Sequence, residues 1–368
     1  MPAPPRPLNI AFYAPLKAPD HPVPSGDRLM ARMLVACLRA AGHRVTVASN
    51  LRAYLGRSDD VAGWGALQDA ARAEIARIER EWAIAAPDLW FSYHPYYKSP
   101  DLIGPALAHR FGLPWVTCEA SYSARRNLGI WAEMQALALD MVKGAALNLC
   151  LTDRDRAGLV AAAPGVSVAR FPPFIDASPF AAPPAPEPGH LVTVAMMRAG
   201  DKLDSYRFLA RALALLPKSL DWRLSVAGDG TERAEVEALF AGLPPGRINW
   251  LGQLSRDAVA VLLSRAALYV WPGFGEAYGL AYLEAQAAGA PVVSQAVAGV
   301  PEVVAAGLTG VLTPEGDAPA FAAAIATQLS DAALRGRMAV AARDRMLQQH
   351  DMVGAAQRLD ALLQGAVR

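Results

Sequence analysis

Two glutamates, Glu276 and Glu284, lie in the stretch Trp271 to Glu302, WPGFGEAYGLAYLEAQAAGAPVVSQAVAGVPE, with seven residues between them. Paired carboxylates can act as acid and base on one substrate, so their separation decides what they can do. On one continuous helix they would stand about 12 Å apart, beyond the ~5 Å spacing of two carboxyls that cleave a glycosidic bond with retention. If Gly279 opens the helix instead, Glu276 lies on the preceding loop and Glu284 projects from the second turn. The two then address different parts of one ligand. A helix opening at glycine offers unpaired amides and a positive dipole end to a phosphate. A carboxylate one to two turns further in can accept two hydrogen bonds from a ribose diol, which suits Glu284.

The same half of the chain supplies cations. The run VTVAMM ends at Arg198, and Lys202 follows four residues later. Ligands of open parallel sheets bind at the carboxyl edge of the strands. Arginine there can grip a diphosphate through two donors, and lysine can serve as a movable point charge. Taken alone such a pair is most often surface charge. Beside the glutamate segment it reads as an anion site.

These side chains need a scaffold, and the apolar periodicity describes one. Short strands at Asn9 to Ala14, Arg44 to Ala48, Leu89 to Tyr93 and Trp115 to Cys118 alternate with helices at Asp27 to Ala41 and Ala62 to Ala85. After the proline-rich run from Phe171 to His190, strands restart at Leu191 to Met197, Trp222 to Ala227, Ile248 to Leu251, Leu268 to Trp271 and Pro291 to Ser294. Such alternation predicts two parallel sheets covered by helices. From Asp351 onward, Met352, Val353, Ala356, Leu359, Leu362 and Leu363 form one helical stripe that must dock on something.

The chain has 368 residues, 53% hydrophobic and 19% charged, with a net charge of +1, which excludes disorder and fibres and argues against nucleic acid as a partner. Up to residue 175 there are 19 basic and 15 acidic residues, and beyond it 16 and 19, so the amino-terminal part is positive. That part could face something anionic, although an uneven solvated surface explains the same count. Cys37, Cys118 and Cys150 sit in apolar runs without a C-x-x-C and read as buried thiols in a reducing compartment. The start, MPAPPRPLNIAFYAP, does not read as a secretion signal, and no apolar run reaches membrane-spanning length. A cytoplasmic protein is expected, with room for peripheral contact at the inner face of a membrane.

Three patterns point elsewhere. Gly273 to Gly279 fits a dinucleotide-binding glycine pattern, but Ser294 and Gln295 stand where the acidic ribose partner is required. Gly228 to Gly230, GDG, reads as a turn. Asp153 and Asp155 form an Asp-x-Asp that could hold a metal, yet after Thr152 they read as capping groups of a helix start. No zinc spacing or G-x-S-x-G is present, so the sequence implies no metal and no serine hydrolase.

On EAYGLAYLEAQAAGAPVVSQAVAGVPEVV, MMRAGDK and SGDRLMARMLVACLRAAGHRVTVAS, the whole chain resembles a family 4 (group 1) retaining glycosyltransferase of the GT-B type. That fold is α/β, with two Rossmann-like doubly wound domains facing a central cleft. The resemblance implies an acceptor-binding domain over 1–172, a proline-rich linker over 173–190, a nucleotide-sugar domain over 191–350 and a helix over 351–368 returning to the first domain. It implies that Glu284 holds the donor ribose. Glu276 and the backbone of Ala277, Tyr278, Gly279 and Leu280 would contact the transferred sugar and its phosphates. Arg198 and Lys202 would neutralise the departing diphosphate, and Gly26 would close on the phosphates from the other domain. A nucleoside diphosphate sugar is then the donor, a glycan or lipid-linked molecule the acceptor, and neither cofactor nor metal is called for.

Two departures stand out. Met197 replaces the family's usual glycine before Arg198, and the gap to Lys202 is short. Where the family tends to carry an active-site histidine after the fourth strand, VTCEASYSARR places Glu119. A glutamate there can accept bonds from sugar hydroxyls or stabilise positive charge at the anomeric carbon. His94 is the nearest other histidine, though a polar loop residue between tyrosines reads equally as structural, and Arg125 and Arg126 could meet an anionic acceptor. Two rival readings keep the fold: a nucleotide-sugar epimerase, with Glu119 and Glu276 as acid and base, and a non-catalytic nucleotide-sugar or glycan-binding protein.

Overall fold

The computed structural model describes residues 6–23 and 25–367, which form two compact units. Unit 1 takes the described residues up to 172 and those from 352 to 367, and unit 2 takes 173–351.

Unit 1 alternates strand and helix. Its strands are β1 (Asn9–Tyr13), β2 (Arg44–Ser49), β3 (Leu89–Tyr93), β4 (Trp115–Cys118), β5 (Leu147–Cys150) and β6 (Val168–Arg170). Its helices, up to the crossing into unit 2, are α1 (Gly26–Ala40), α2 (Val61–Trp82), α3 (Gly104–Phe111), α4 (Ile130–Gly144) and α5 (Asp153–Ala162). The order across the sheet is β2-β1-β3-β4-β5-β6, all parallel. Every residue of β3 and β5 is buried, as befits strands covered on both faces. Helix α1 starts because Ser25 accepts a hydrogen bond from the Arg28 amide, and it buries Met30, Met33, Leu34, Cys37 and Leu38 on one stripe. The three cysteines are free and buried, and burial pushes the Cys37 thiol up to about 12 and Cys150 to about 11, which makes them poor nucleophiles.

Unit 2 repeats the plan. Its strands are β7 (His190–Val194), β8 (Arg223–Ala227), β9 (Ile248–Gly252), β10 (Leu268–Val270), β11 (Val292–Gln295) and β12 (Gly310–Thr313). Between them run α6 (Asp201–Ala214), α7 (Arg233–Leu239), α8 (Arg256–Ser264), α9 (Leu280–Ala287) and α10 (Val300–Val303), followed by α11 (Ala318–Ser330) and α12 (Ala332–Gln349). The sheet order β12-β11-β10-β7-β8-β9 is the doubly wound one of dinucleotide-binding domains. The strand order reverses between β7 and β10, so a crevice opens there at the carboxyl edge. In unit 1 the reversal falls between β1 and β3.

Two features add to the sequence expectation. The proline-rich run 173–190 packs on unit 2, since Phe174, Ile175 and Phe180 are buried there and the Ile175 amide bonds the His350 carbonyl at 2.8 Å. Prolines deny this segment a ladder but leave its apolar side chains free to pack. The last helix, α13 (Met352–Ala366), packs against α1 through Ala355, Ala356, Leu359 and Leu363, whereas Val353 is 68% exposed.

Candidate functional site

At the unit 2 switch point the loop after β7 carries Arg198, exposed on the surface, and Lys202 stands in the first turn of α6. The loop after β10 brings Glu276 to Lys202, and the two form an ion pair whose side chains are 17% and 16% exposed. The Trp271 indole donates to the same carboxylate at 3.0 Å, and the Lys202 ammonium lies 5.5 Å from the Trp271 ring centre. Trp271 is fixed edge-on to Tyr206 at 4.9 Å, and Tyr206 donates to the Ala195 carbonyl at 2.8 Å. A rigid aromatic floor therefore holds a charge pair at the sheet edge. Among the described residues nothing pairs with the Arg198 guanidinium.

The loop then turns into α9. Gly279, at a φ of +77°, precedes the helix, and no side chain caps the first turn, so the leading amides are open to an outside acceptor. Ala277 is exposed and Leu280 partly so, while the Tyr278 ring is buried, which leaves its backbone as the part that can meet a ligand. Glu284 follows one turn into the helix, 9% exposed, and among the described residues no group hydrogen-bonds its carboxylate. Burial pushes it up to about 7, against the pull of Arg256. Arg256 gives only partial relief because Asp176 holds it, at 2.9 Å through the carboxylate and 2.6 Å through the carbonyl.

Gly299 pins this loop from below. A Cβ there would stand 1.6 Å from the Ala277 carbonyl oxygen, so a side chain must push the loop backbone before α9 away. Gly299→Ala is expected to cost roughly 1–3 kcal/mol in unit 2 stability. It should also weaken donor binding at least about tenfold, a loss of contact geometry worth 1.4 kcal/mol. Calorimetry with a nucleotide sugar checks both, and unchanged binding would show that the loop does not touch the donor.

In unit 1 the register pairs Tyr93 with Cys118, which sets the next residues, His94 and Glu119, side by side at the ends of β3 and β4. Both adopt left-handed backbone, φ +57° and +60°, an uncommon state for residues with a side chain. The His94 Nδ1 lies 3.2 Å from Asp27 Oδ1, in the first turn of α1 beside Gly26, around which there is open space. Burial opposes a charge on this imidazole, but Glu119, Asp27 and Asp155 overcome it and raise His94 to about 9. Burial in turn raises Glu119 to about 7, with His94 pulling the other way. The cluster therefore favours the cationic imidazole, set between Asp27 and a Glu119 carboxyl that burial inclines toward its protonated form. Replacing Glu119 by glutamine removes the largest charge favouring the imidazolium and should lower the His94 titration by at least about one pH unit in a histidine NMR titration. An unmoved titration would separate the two groups.

The site residues thus fall into two sets. Unit 2 joins Lys202, Glu276, Arg198, Glu284 and the α9 tip around one switch point, and unit 1 joins Gly26, His94 and Glu119. Sequence reasoning missed Asp27 and Asp155 as members of the second set, and also Trp271 and Tyr206 as the floor of the first. Asp27 directly follows Gly26 at a helix start, which was the available signal. Arg125 and Arg126 sit apart from His94 in a short 3-10 turn, both exposed. Asp155 caps its helix with Thr152, and Asp153 pairs with Arg156 at 3.2 Å and Arg170 at 3.3 Å. Among the described residues no group of three or more His, Cys, Asp or Glu is arranged to hold a metal ion. An open cavity of about 360 Å³, lined by His190, Arg223, Ser225 and Asn249 among others, lies toward the starts of β7, β8 and β9, away from the edge where the charged residues converge.

Residues 188–331 match the family described as Glycosyl transferases group 1. A 132-residue stretch is 36% identical to the glycogen synthase of Mycobacterium tuberculosis, covering 35% of this chain and 31% of that enzyme. The matched region thus spans about a third of the length of that relative. A longer match, 28% identical over 306 residues, covers 74% of this chain and 69% of the D-inositol 3-phosphate glycosyltransferase of Pseudarthrobacter chlorophenolicus. The fold resembles Anabaena HepE in complex with UDP, with a TM-score of 0.74 and 15% identity over 96% of this chain and 99% of that one. The architecture is the α/β GT-B arrangement of two Rossmann-like units. No helix among the described residues is long and apolar enough to cross a membrane.

Proposed function

We propose that the protein is a glycosyltransferase that moves a sugar from a nucleoside diphosphate sugar to a glycan or lipid-linked acceptor, retaining the anomeric configuration and using no metal ion. The observation that carries the reading is the Lys202–Glu276 pair beside the uncapped start of α9, at the switch point of the unit that matches the group 1 transferases. The UDP in HepE supports a nucleotide as the donor's handle.

The residues divide the work by charge. The diphosphate settles on the α9 amides, where the helix dipole favours it. The ribose diol donates to Glu284, a buried carboxylate that no group among the described residues hydrogen-bonds. As the bond from the anomeric carbon to the phosphate oxygen breaks, negative charge grows on the diphosphate, and Lys202 and Arg198 stabilise it more in the transition state than in the ground state. Glu276 then accepts hydrogen bonds from sugar hydroxyls while Trp271 keeps it oriented. The acceptor oxygen bonds to the anomeric carbon, and its proton leaves with the departing phosphate oxygen. In unit 1, Glu119 and Asp27 accept hydrogen bonds from acceptor hydroxyls around the His94 cation.

Incubation with a panel of nucleotide sugars, with and without a chelator, tests the reading. Transfer to a glycan or lipid-linked acceptor in both conditions, with the donor's anomeric configuration in the product, is expected. Conversion of the donor without any acceptor would mean epimerisation, and binding without turnover across a broad acceptor screen would mean a sugar-nucleotide-binding protein.

A further inference from the structure

Unit 1 carries a cluster of cations that no carboxylate answers among the described residues. The Lys98 ammonium lies 4.7 Å from the centre of the Trp131 ring and 5.7 Å from that of Tyr97. The Arg126 guanidinium lies 5.6 Å from the same Tyr97 ring, and Tyr97 meets Trp131 edge-on at 5.3 Å. Arg52 stacks at 4.5 Å on Tyr54, and Arg125 is exposed next to Arg126. Among the described residues none of these four cations forms an ion pair, whereas Arg57, Arg72, Arg77 and Arg110 of the same unit each have a carboxylate within 3 Å.

Aromatic faces soften such crowding only in part. A cation over a ring gains about 0.5–1 kcal/mol at an exposed site, and here two cations share Tyr97. The cost of their proximity is visible in Lys98, which burial and then Arg126 hold below the usual lysine range. A pair of cations kept together without a counter-ion is matched by a ligand that brings one. A guanidinium fork and an ammonium point charge that each lie within 6 Å of the Tyr97 ring centre suit a phosphate, whose oxygens accept from both. The Trp131 and Tyr97 rings beside them offer flat apolar surface to a ring-shaped body carrying that phosphate.

We propose that Lys98 and Arg126, on the Tyr97–Trp131 platform, form a phosphate-binding site, and that the acceptor of the transfer bears a phosphate group seated there. The binding claim stands by itself, and its assignment to the acceptor rests on the transferase reading above.

The full chain, saturated with UDP so that unit 2 is occupied, is titrated by calorimetry with glucose 1-phosphate and with glucose, and its sedimentation with phosphatidylglycerol or phosphatidylcholine vesicles is measured. The phosphate probe is expected to bind and glucose not, with affinity falling at least about tenfold in Arg126→Gln and in Lys98→Gln at an unchanged melting temperature. Arg126 is exposed, so its variant tests the site even if Lys98→Gln fails to fold. Sedimentation with phosphatidylglycerol alone, lost in the same variants, would assign the phosphate to a lipid headgroup. Equal binding in both variants, or no binding of either phosphate source, overturns the proposal. Transfer to uncharged acceptors at rates that Arg126→Gln leaves intact would overturn the acceptor assignment while leaving the transferase reading standing. Phosphate binding without any transfer would leave the binding site standing and overturn the transferase reading, and with it the acceptor assignment.

Discussion

Lys202→Ala lowers kcat by roughly two to three orders of magnitude, the loss expected when one preorganised group facing a developing anion is removed. In the free protein Lys202 is neutralised by Glu276 and braced over Trp271, so it is already desolvated and positioned. On the proposed mechanism the diphosphate competes for it, and the competition sharpens as the leaving group gains charge. The KM for the donor should therefore rise far less than kcat falls, because the α9 amides and Glu284 still bind the ground state. Removing the lysine also strands Glu276 in a site that is 16% exposed, which destabilises unit 2 by itself. The double variant Lys202→Met with Glu276→Gln separates the effects: stability should recover while kcat stays low. Lys202→Arg should restore only part of the rate, since a planar fork cannot follow the phosphate as an ammonium does. Steady-state kinetics with product quantified decides it. A kcat within threefold of the parent protein in Lys202→Ala would remove Lys202 from the chemistry.

That pair shows where sequence reasoning reaches and where it stops. Apolar periodicity carries local information, and it places β3, β4 and α9 within a residue or so, with Gly279 before the helix as the spacing of the two glutamates requires. The same periodicity is silent on partners distant in the chain. Lys202 and Glu276 are 74 positions apart, and only the insertion of β7 between β8 and β10 brings the loops after β7 and β10 together. His94 is the sharper case. Between tyrosines it reads as a polar loop residue, yet β1 pairs in parallel with β3 and so sets the start of α1, with Asp27, beside the end of β3. The neighbouring strand thus sets an imidazole next to Glu119. The cation cluster was half legible: Arg125 and Arg126 announce themselves by adjacency, but Lys98 joins Arg126 only because β3 and β4 are neighbours and their loops share the Tyr97 ring. Burial of the proline-rich segment was illegible for another reason. Proline content predicts missing hydrogen bonds, not missing contacts, and Phe174 and Ile175 pack without a ladder.

Glu284→Gln makes the protein more stable at pH 8 and less able to hold its donor. The carboxyl is raised from 4.5 to about 7 by burial, so the folded state binds a proton that the unfolded state releases. Stability therefore falls as pH rises from 4.5 through 7, by about 3 kcal/mol once both states are ionised. Glutamine carries no charge and escapes this cost. Its melting transition for unit 2 should lie about 6–12 °C above the parent at pH 8. The gain should shrink as pH drops through 7 and vanish near 4.5, because there the parent carboxyl is protonated too. Donor binding should move the opposite way, because the ribose diol needs two acceptor oxygens and the amide supplies one. In the parent protein, affinity for a non-hydrolysable nucleotide sugar should fall about tenfold per pH unit below 7 as the carboxylate is protonated. In Glu284→Gln it should be weak and flat over the same range. Melting curves and calorimetry at pH 5, 6, 7 and 8 on both proteins test the two halves together. A variant that is stabilised yet binds the donor as before would show that burial, not ribose recognition, governs this carboxylate, and a variant with neither change would mean that its charge is already satisfied.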